Sequence, residues 1–210
     1  MIIAIIGSGN VGGTLGRAWA GRGHTIVFGA RDPKAANLAA LVTSIGERAS
    51  VATVPEAVAR AEVALLATPW SAAESAVRAA RDWRGKILVD ATNPLTADVS
   101  GLALGHTTSG GEQVAGWATG ARVVKAFNTI GSMHMTGAPF GAERASMFLC
   151  GDDADAKRTV GDLARELAFD PVDAGPLRQA RLLEPLAMLW ISMAYAHGHG
   201  PNIALRLLRK

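Results

Sequence analysis

The sequence predicts an α/β fold built on a doubly wound, mainly parallel sheet. Three observations carry that expectation. Short β-branched runs alternate with Ala-rich segments of crossover length, which is the rhythm of βαβ units. A Gly-rich turn beginning at Gly7 separates a fully apolar run from an Ala-rich one. No internal repeat or low-complexity tract interrupts the 210 residues.

In chain order the strand candidates are "IIAII", "TIVF", "SVATV", "EVALLA", "KILVDA", "RVVKAF" and "SMFLC". Residues 11–21, 33–43, 71–83 and 154–168 have the length and composition of crossover helices. The Gly-rich stretch 101–113 reads as a long surface loop that can border a pocket. After Cys150, one more strand in "DPVDAG" and one or two helices finish the chain. The late apolar run "PLAMLWISMAYA" is shorter than the roughly 20 residues a bilayer requires, so a buried helix over 182–195 is expected.

The composition, 49% hydrophobic and 19% charged, suits a globular unit with a sizeable core. The net charge is only +3, and Lys and Arg are scattered, which argues against a nucleic-acid partner. A single cysteine, Cys150, excludes an internal disulfide framework. The opening "MIIAIIGSGN" lacks the pattern of a signal peptide, so a cytoplasmic protein with no membrane partner is expected.

In "IIAIIGSGNVGGTLGRAWA", Gly7, Gly9 and Gly12 form G-x-G-x-x-G in strand-turn-helix context. Gly7 permits the tight turn, Gly9 lets a pyrophosphate approach the backbone, and Gly12 brings helix and strand close. This is the fingerprint of a Rossmann-like dinucleotide site. It divides the chain into a dinucleotide-binding domain, 1–150, and a C-terminal extension, 151–210, that completes sheet and helices in the same compact unit.

The end of the second strand bears on the choice of dinucleotide. An acid there favours NAD, whereas a nearby Arg accommodates the 2′-phosphate of NADP. The apolar run ends at Phe28, so the acid position falls near Ala30, and Asp32 with Pro33 reads as a helix N-cap and first helical residue. Arg31 offers a planar fork to phosphate and Lys34 a second positive charge, so NADP is the expected cofactor.

Two further loops, "ATPW" with Thr68, Pro69 and Trp70, and "ATNP" with Asn93 and Pro94, follow predicted strands at their carboxyl ends. Ligands lie across those ends in open α/β sheets, so both loops are expected to line the nicotinamide. "KAFNTIG" repeats the pattern and puts Asn128 where a hydride acceptor can dock. Other chemistries lack support. The "HGHG" of His197 and His199 has no nearby Cys or acid pair and reads as a polar loop, so no metal is expected. No G-x-S-x-G occurs, and no residue is assigned as acid, base or nucleophile.

Taken together, "GSGNVGGTLG", "GARDP", "ATPW", "VVKAFNTI", "CGDDADAK", "DAGPLRQARLLEPL" and "GPNIALRLL" resemble, in order and over nearly the whole chain, the NADPH-dependent reductases named after the deazaflavin coenzyme F-420. The resemblance implies hydride transfer between NADPH and a tricyclic acceptor on one Rossmann domain with a small C-terminal segment, usually as a dimer. It implies that Ser8, Gly9, Asn10 and Val11 hold the pyrophosphate, Arg31 the 2′-phosphate, and Thr68, Pro69 and Asn93 the nicotinamide side. The cytosolic domain of membrane ferric reductases, which passes hydride from NADPH to a flavin, is similar to the same family. A deazaflavin or flavin acceptor is therefore the leading reading. An NADPH-dependent imine or carbonyl reductase and a non-catalytic NADPH sensor are the alternatives. The apolar 182–195 helix adds the expectation of a homodimer.

Overall fold

The computed structural model describes residues 1–137 and 140–210. Eight strands form one sheet in the order β3-β2-β1-β4-β5-β6-β7-β8. In the chain they are β1 (Ile2–Ile6), β2 (Thr25–Ala30), β3 (Ala49–Thr53), β4 (Val63–Leu66), β5 (Ile87–Asp90), β6 (Arg122–Lys125), β7 (Ser146–Gly151) and β8 (Asp170–Asp173). All neighbours run parallel except β6 and β7. Among its described residues the link from β6 to β7 holds a 3-10 turn, Ser132–His134, and no crossover helix, and the chain returns antiparallel.

The helices are α1 (Asn10–Gly21), α2 (Ala36–Ile45), α3 (Val54–Arg60), α4 (Trp70–Ala79), α5 (Gly110–Trp117), α6 (Ala154–Glu166) and α7 (Ala180–Tyr195). The continuous apolar character of β1 follows from burial on both faces. Ile3 and Ile5 enter one core with Leu15 and Trp19 of α1, Leu41 of α2 and Leu163 of α6. Ala4 and Ile6 enter a second core with Ala57 of α3, Val77 of α4 and Val114 of α5. Trp19 ties the first layer together: Nε1 donates to the Leu163 carbonyl at 3.2 Å, and its ring meets Phe127 edge-on at 5.5 Å.

The predicted strands and the doubly wound class are all present, and the C-terminal strand falls at Asp170–Asp173. Three local expectations change. Residue 33 does not open α2: Asp32 Oδ1 accepts from the Lys34 amide at 3.0 Å, closing a turn, and the helix starts at Ala36 with Ala35 as its cap. Asp32 is thus a turn former and not an N-cap, because its carboxylate is satisfied two residues on. The 71–83 segment stops being helical at Ala79, and Arg81 adopts φ 63. The 101–113 stretch is loop only to Ser109, whose side chain caps α5 by accepting from the Glu112 amide.

Close approach of backbones explains the glycines of the first turn. A Cβ on Gly12 would collide with the Gly7 carbonyl oxygen and lie 2.9 Å from Ile5 Cγ2. A Cβ on Gly9 would meet nothing within 4 Å. Gly12→Ala is therefore expected to destabilise the chain by about 3 kcal/mol or more, since backbone cannot yield as a side chain does. Gly9→Ala, which only puts a poorer N-cap residue in open space, should cost about 1 kcal/mol or less. Urea unfolding of the two variants side by side checks the contrast, and equal midpoints would refute it.

Candidate functional site

β1 lies between β2 and β4, so the strand order reverses there and the crevice of a doubly wound sheet opens above its carboxyl end. Four expected segments converge on that edge. The first is the glycine turn. Gly7 has φ 106, and a Cβ there would sit 2.5 Å from the Ala67 carbonyl oxygen, so only glycine fits between the β1 and β4 loops. Gly9 caps α1 without any side-chain hydrogen bond, and no acid occupies the first turn. The helix N-terminus thus presents its free N–H groups to an anion, with open space at Gly9 to admit one. Ser8 and Asn10 border this opening in a recess of about 480 Å³.

The second segment is the turn after β2. Arg31 and Lys34 are exposed, and neither has an ion-pair partner among the described residues. Two uncommitted cations at the exit of β2 are suited to a phosphate.

The third and fourth segments frame a cleft of about 580 Å³, lined by Val11, Thr68, Pro69, Trp70 and Asn93 among others. Thr68 Oγ1 is buried and has no hydrogen-bond partner, an orphan that a ligand can satisfy. Trp70 begins α4 and packs on Trp117 at 5.3 Å. Pro94 is buried, and it and Trp70 press on Gly110, where a Cβ would lie 3.3 and 3.2 Å from them. Asn128 is buried beneath the cleft. Its Nδ2 donates to Asn93 Oδ1 at 3.1 Å and to the Leu183 carbonyl at 3.2 Å, while Asn93 Nδ2 donates to the Asn128 carbonyl at 3.0 Å. Asn128 Oδ1 is left without a partner.

Sequence reasoning missed the charged cluster directly behind these loops. Lys125 Nζ, 0% exposed, donates to Asp90 Oδ2 at 2.9 Å and to the Thr92 carbonyl at 2.6 Å, and pairs with Glu184 Oε1 at 2.8 Å. Asp90 Oδ1 accepts from the Thr92 amide at 2.9 Å and hydroxyl at 2.7 Å. Glu184 also accepts from the Gly110 and Gly111 amides at 2.9 and 3.0 Å, so the N-terminus of α5 meets the surplus negative charge. Burial alone would lower the Lys125 pKa, but the attraction of Asp90 and Glu184 outweighs it and the pKa is raised. The one available signal was a Lys, an Asp and a Glu set singly in apolar runs. Nearby, burial pushes the Cys150 thiol up to about 12, which leaves it an unreactive core residue. Arg181 holds the Glu112 carboxylate below its ordinary pKa through a bidentate contact at 2.8 and 2.7 Å.

The fold and these loops define an enzyme of the dinucleotide-dependent oxidoreductase class. Residues 2–94 match the family described as "NADP oxidoreductase coenzyme F420-dependent". The F420-dependent NADP reductase of Methanothermobacter thermautotrophicus is 30% identical over 207 residues, covering 92% of this chain and 89% of that protein. The chain belongs to that family and is an NADP-dependent oxidoreductase. The rat protein Metalloreductase STEAP3 is 35% identical over 189 residues, 89% of this chain, which spans only 37% of that relative's length. A solved structure from Arthrobacter sp. fb24, described as a candidate F420-dependent NADP-reductase, superposes with TM-score 0.88 at 32% identity over 99% of both chains. Among the described residues no helix is long and apolar enough to cross a membrane.

Lys125→Met would strand two carboxylates in the core and is expected to destabilise the chain by about 3–5 kcal/mol. Because the Lys125 pKa is raised on folding, its contribution is complete below the ordinary lysine value of 10.5 and is lost only as pH rises through the folded value. Melting curves at neutral pH and above pH ~11 check both points. The gap between wild type and Lys125→Met should be widest at neutral pH and narrow in alkali.

Proposed function

We propose that the chain transfers hydride between NADPH and a planar acceptor of deazaflavin or flavin type, in the cleft above Thr68 and Asn93. The observation that carries the reading is the make-up of that cleft: its lining side chains are Val11, Ala67, Thr68, Pro69, Trp70, Ser71, Ala91, Thr92, Asn93, Leu95, Thr96 and Ala97, none of them ionisable. Reduction of a carbonyl leaves an alkoxide that needs a proton donor at once. A hydride added to a deazaflavin or flavin leaves charge spread over the rings, and the proton can follow from water. The lining thus supports the tricyclic acceptor over the carbonyl alternative, and the imine alternative is left to the assay below. The relative named a metalloreductase is the reason ferric chelates join the acceptors to be tested.

NADPH supplies the hydride, and the chain supplies position and shielding. In this reading Gly7, Gly9, Gly12, Ser8, Asn10 and Val11 cradle the pyrophosphate, and Arg31 with Lys34 clamps the 2′-phosphate. Thr68 offers its free hydroxyl to the nicotinamide half, Pro69 and Pro94 fix the two loops, and Trp70 walls the cleft. Asn128 acts from below by holding Asn93. The exposed Leu182 and Leu189, seven residues apart on one side of α7, form the face on which a second copy packs in a homodimer, and light scattering should give twice the chain mass.

NADPH oxidation against a deazaflavin, FMN, FAD, ferric chelates, aldehydes and imines tests the acceptor. Turnover with imines or aldehydes alone would overturn the proposal. For the clamp, Arg31→Ala should weaken NADPH by roughly 1.5–3 kcal/mol, about ten- to a hundredfold, and leave NADH almost unchanged. Lys34→Ala should cost less, because an exposed ammonium is a partly screened point charge. The ratio of NADPH to NADH dissociation constants at one ionic strength is the measurement, and equal weakening of both by Arg31→Ala would remove Arg31 from the role.

A further inference from the structure

We propose that Glu184 is a positioning residue for the nicotinamide half of the cleft, acting through Lys125 and the N-terminus of α5; this rests on the placement of NADPH given above. A single carboxylate reaches two walls of the cleft. Toward one wall, Glu184 Oε1 holds Lys125 Nζ at 2.8 Å, and Lys125 fixes the Thr92 carbonyl at 2.6 Å. Thr92 is then held from both sides, since its amide and hydroxyl donate to Asp90 Oδ1. The next residue, Asn93, lines the cleft.

Toward the other wall, Glu184 accepts from the Gly110 and Gly111 amides. Gly110 is the floor on which Trp70 and Pro94 rest, and a Cβ there would be crowded, lying 3.0 Å from Glu184 Oε1 as well. Leu183, the neighbour of Glu184 in α7, accepts from Asn128, which in turn holds Asn93. Helix α7 therefore grips both loops of the nicotinamide side at two consecutive residues. It does not touch the Gly9 opening or Arg31 through any hydrogen bond or ion pair among the described residues.

Stability alone is a weak reason for this arrangement. Apolar residues of similar volume often replace a buried ion cluster without loss. An apolar set has no means of orienting a backbone carbonyl and amide, and that is what Lys125 and Asp90 do at Thr92.

The test separates the two halves of the dinucleotide without needing an acceptor. NADPH and 2′,5′-ADP share the adenosine and its 2′-phosphate, but only NADPH has the nicotinamide half. Dissociation constants for both are measured by calorimetry in wild type and Glu184→Gln, with melting temperatures alongside. The isosteric Gln removes the charge and keeps Lys125 paired with Asp90. Binding of 2′,5′-ADP should stay within about twofold, while the advantage of NADPH over 2′,5′-ADP should fall about tenfold, the scale of one lost hydrogen bond to the nicotinamide half. Equal loss for both ligands, or loss for neither, overturns the proposal. If Glu184→Gln does not fold, Asp90→Asn/Lys125→Met/Glu184→Gln buries no net charge and is measured instead. A folded triple variant with the wild-type ratio overturns it equally. A wild type that binds NADPH no better than 2′,5′-ADP overturns the nicotinamide placement together with this inference. A wild type with the advantage and a variant that keeps it overturns the inference alone.

Discussion

Taking an ammonium group out of water costs several kcal/mol unless opposite charge and hydrogen-bond acceptors meet it, and Lys125 is wholly inside. That requirement organises the carboxyl-terminal side of the site. Lys125 ends β6, Asp90 ends β5, and Glu184 comes from the second turn of α7, so three elements must converge to within hydrogen-bond distance of one atom. Two carboxylates against one ammonium leave a surplus negative charge, and the open amides of α5 meet it. The burial of one charge thus determines where α5 and α7 sit, and with them the floor beneath Trp70, Pro94 and Asn93.

The amino-terminal side of the site is held by different physics. There the constraint is steric: Gly7 fits against Ala67, Gly12 fits against Gly7, and neither tolerates a methyl group. Such contacts are short and stiff, and they leave the α1 N-terminus without a side-chain cap. The two halves also differ in what disturbs them. A backbone collision is independent of pH and salt, whereas the Lys125 cluster depends on every partner keeping its charge.

This division explains what could be read from the sequence. Local patterns were legible: β1 as a continuous apolar run because both its faces are buried, the glycine turn because its spacing is a mechanical requirement, and Arg31 because β2 runs to Ala30 and leaves it just outside. The start of α2 was misplaced because Asp32 can satisfy a turn or a cap, and only the three-dimensional path of the chain selects the turn. Helices α3 and α5 span only 7 and 8 residues, too few for a helical period to show. Their starts were nonetheless written as Thr53 with Glu56 and Ser109 with Glu112, a signature of capping that the surrounding Val, Pro and Gly obscured. The Lys125 cluster had no local signature at all. Asp90 and Lys125 are 35 residues apart, and Glu184 lies 74 from Gly110, so nothing nearby marks them as partners.

The same division bears on what the cleft can reduce. A site built to push a proton onto a substrate oxygen needs an ionisable group within reach of the reacting atom. Here the charged cluster behind the loops, Asp90, Lys125 and Glu184, is sealed behind Thr92 with 0%, 0% and 1% side-chain exposure. Their charge can orient the loops but cannot exchange protons with a ligand. The groups that do line the cleft are hydroxyls, an amide, a proline and a tryptophan, which fix the plane and distance of a flat ring and do little else. That combination supports an acceptor whose own ring system takes up the added charge. On the proposed reading, discrimination among such acceptors would rest on the shape of the wall formed by Trp70 and residues 95–97, because no side chain lining the cleft is ionisable.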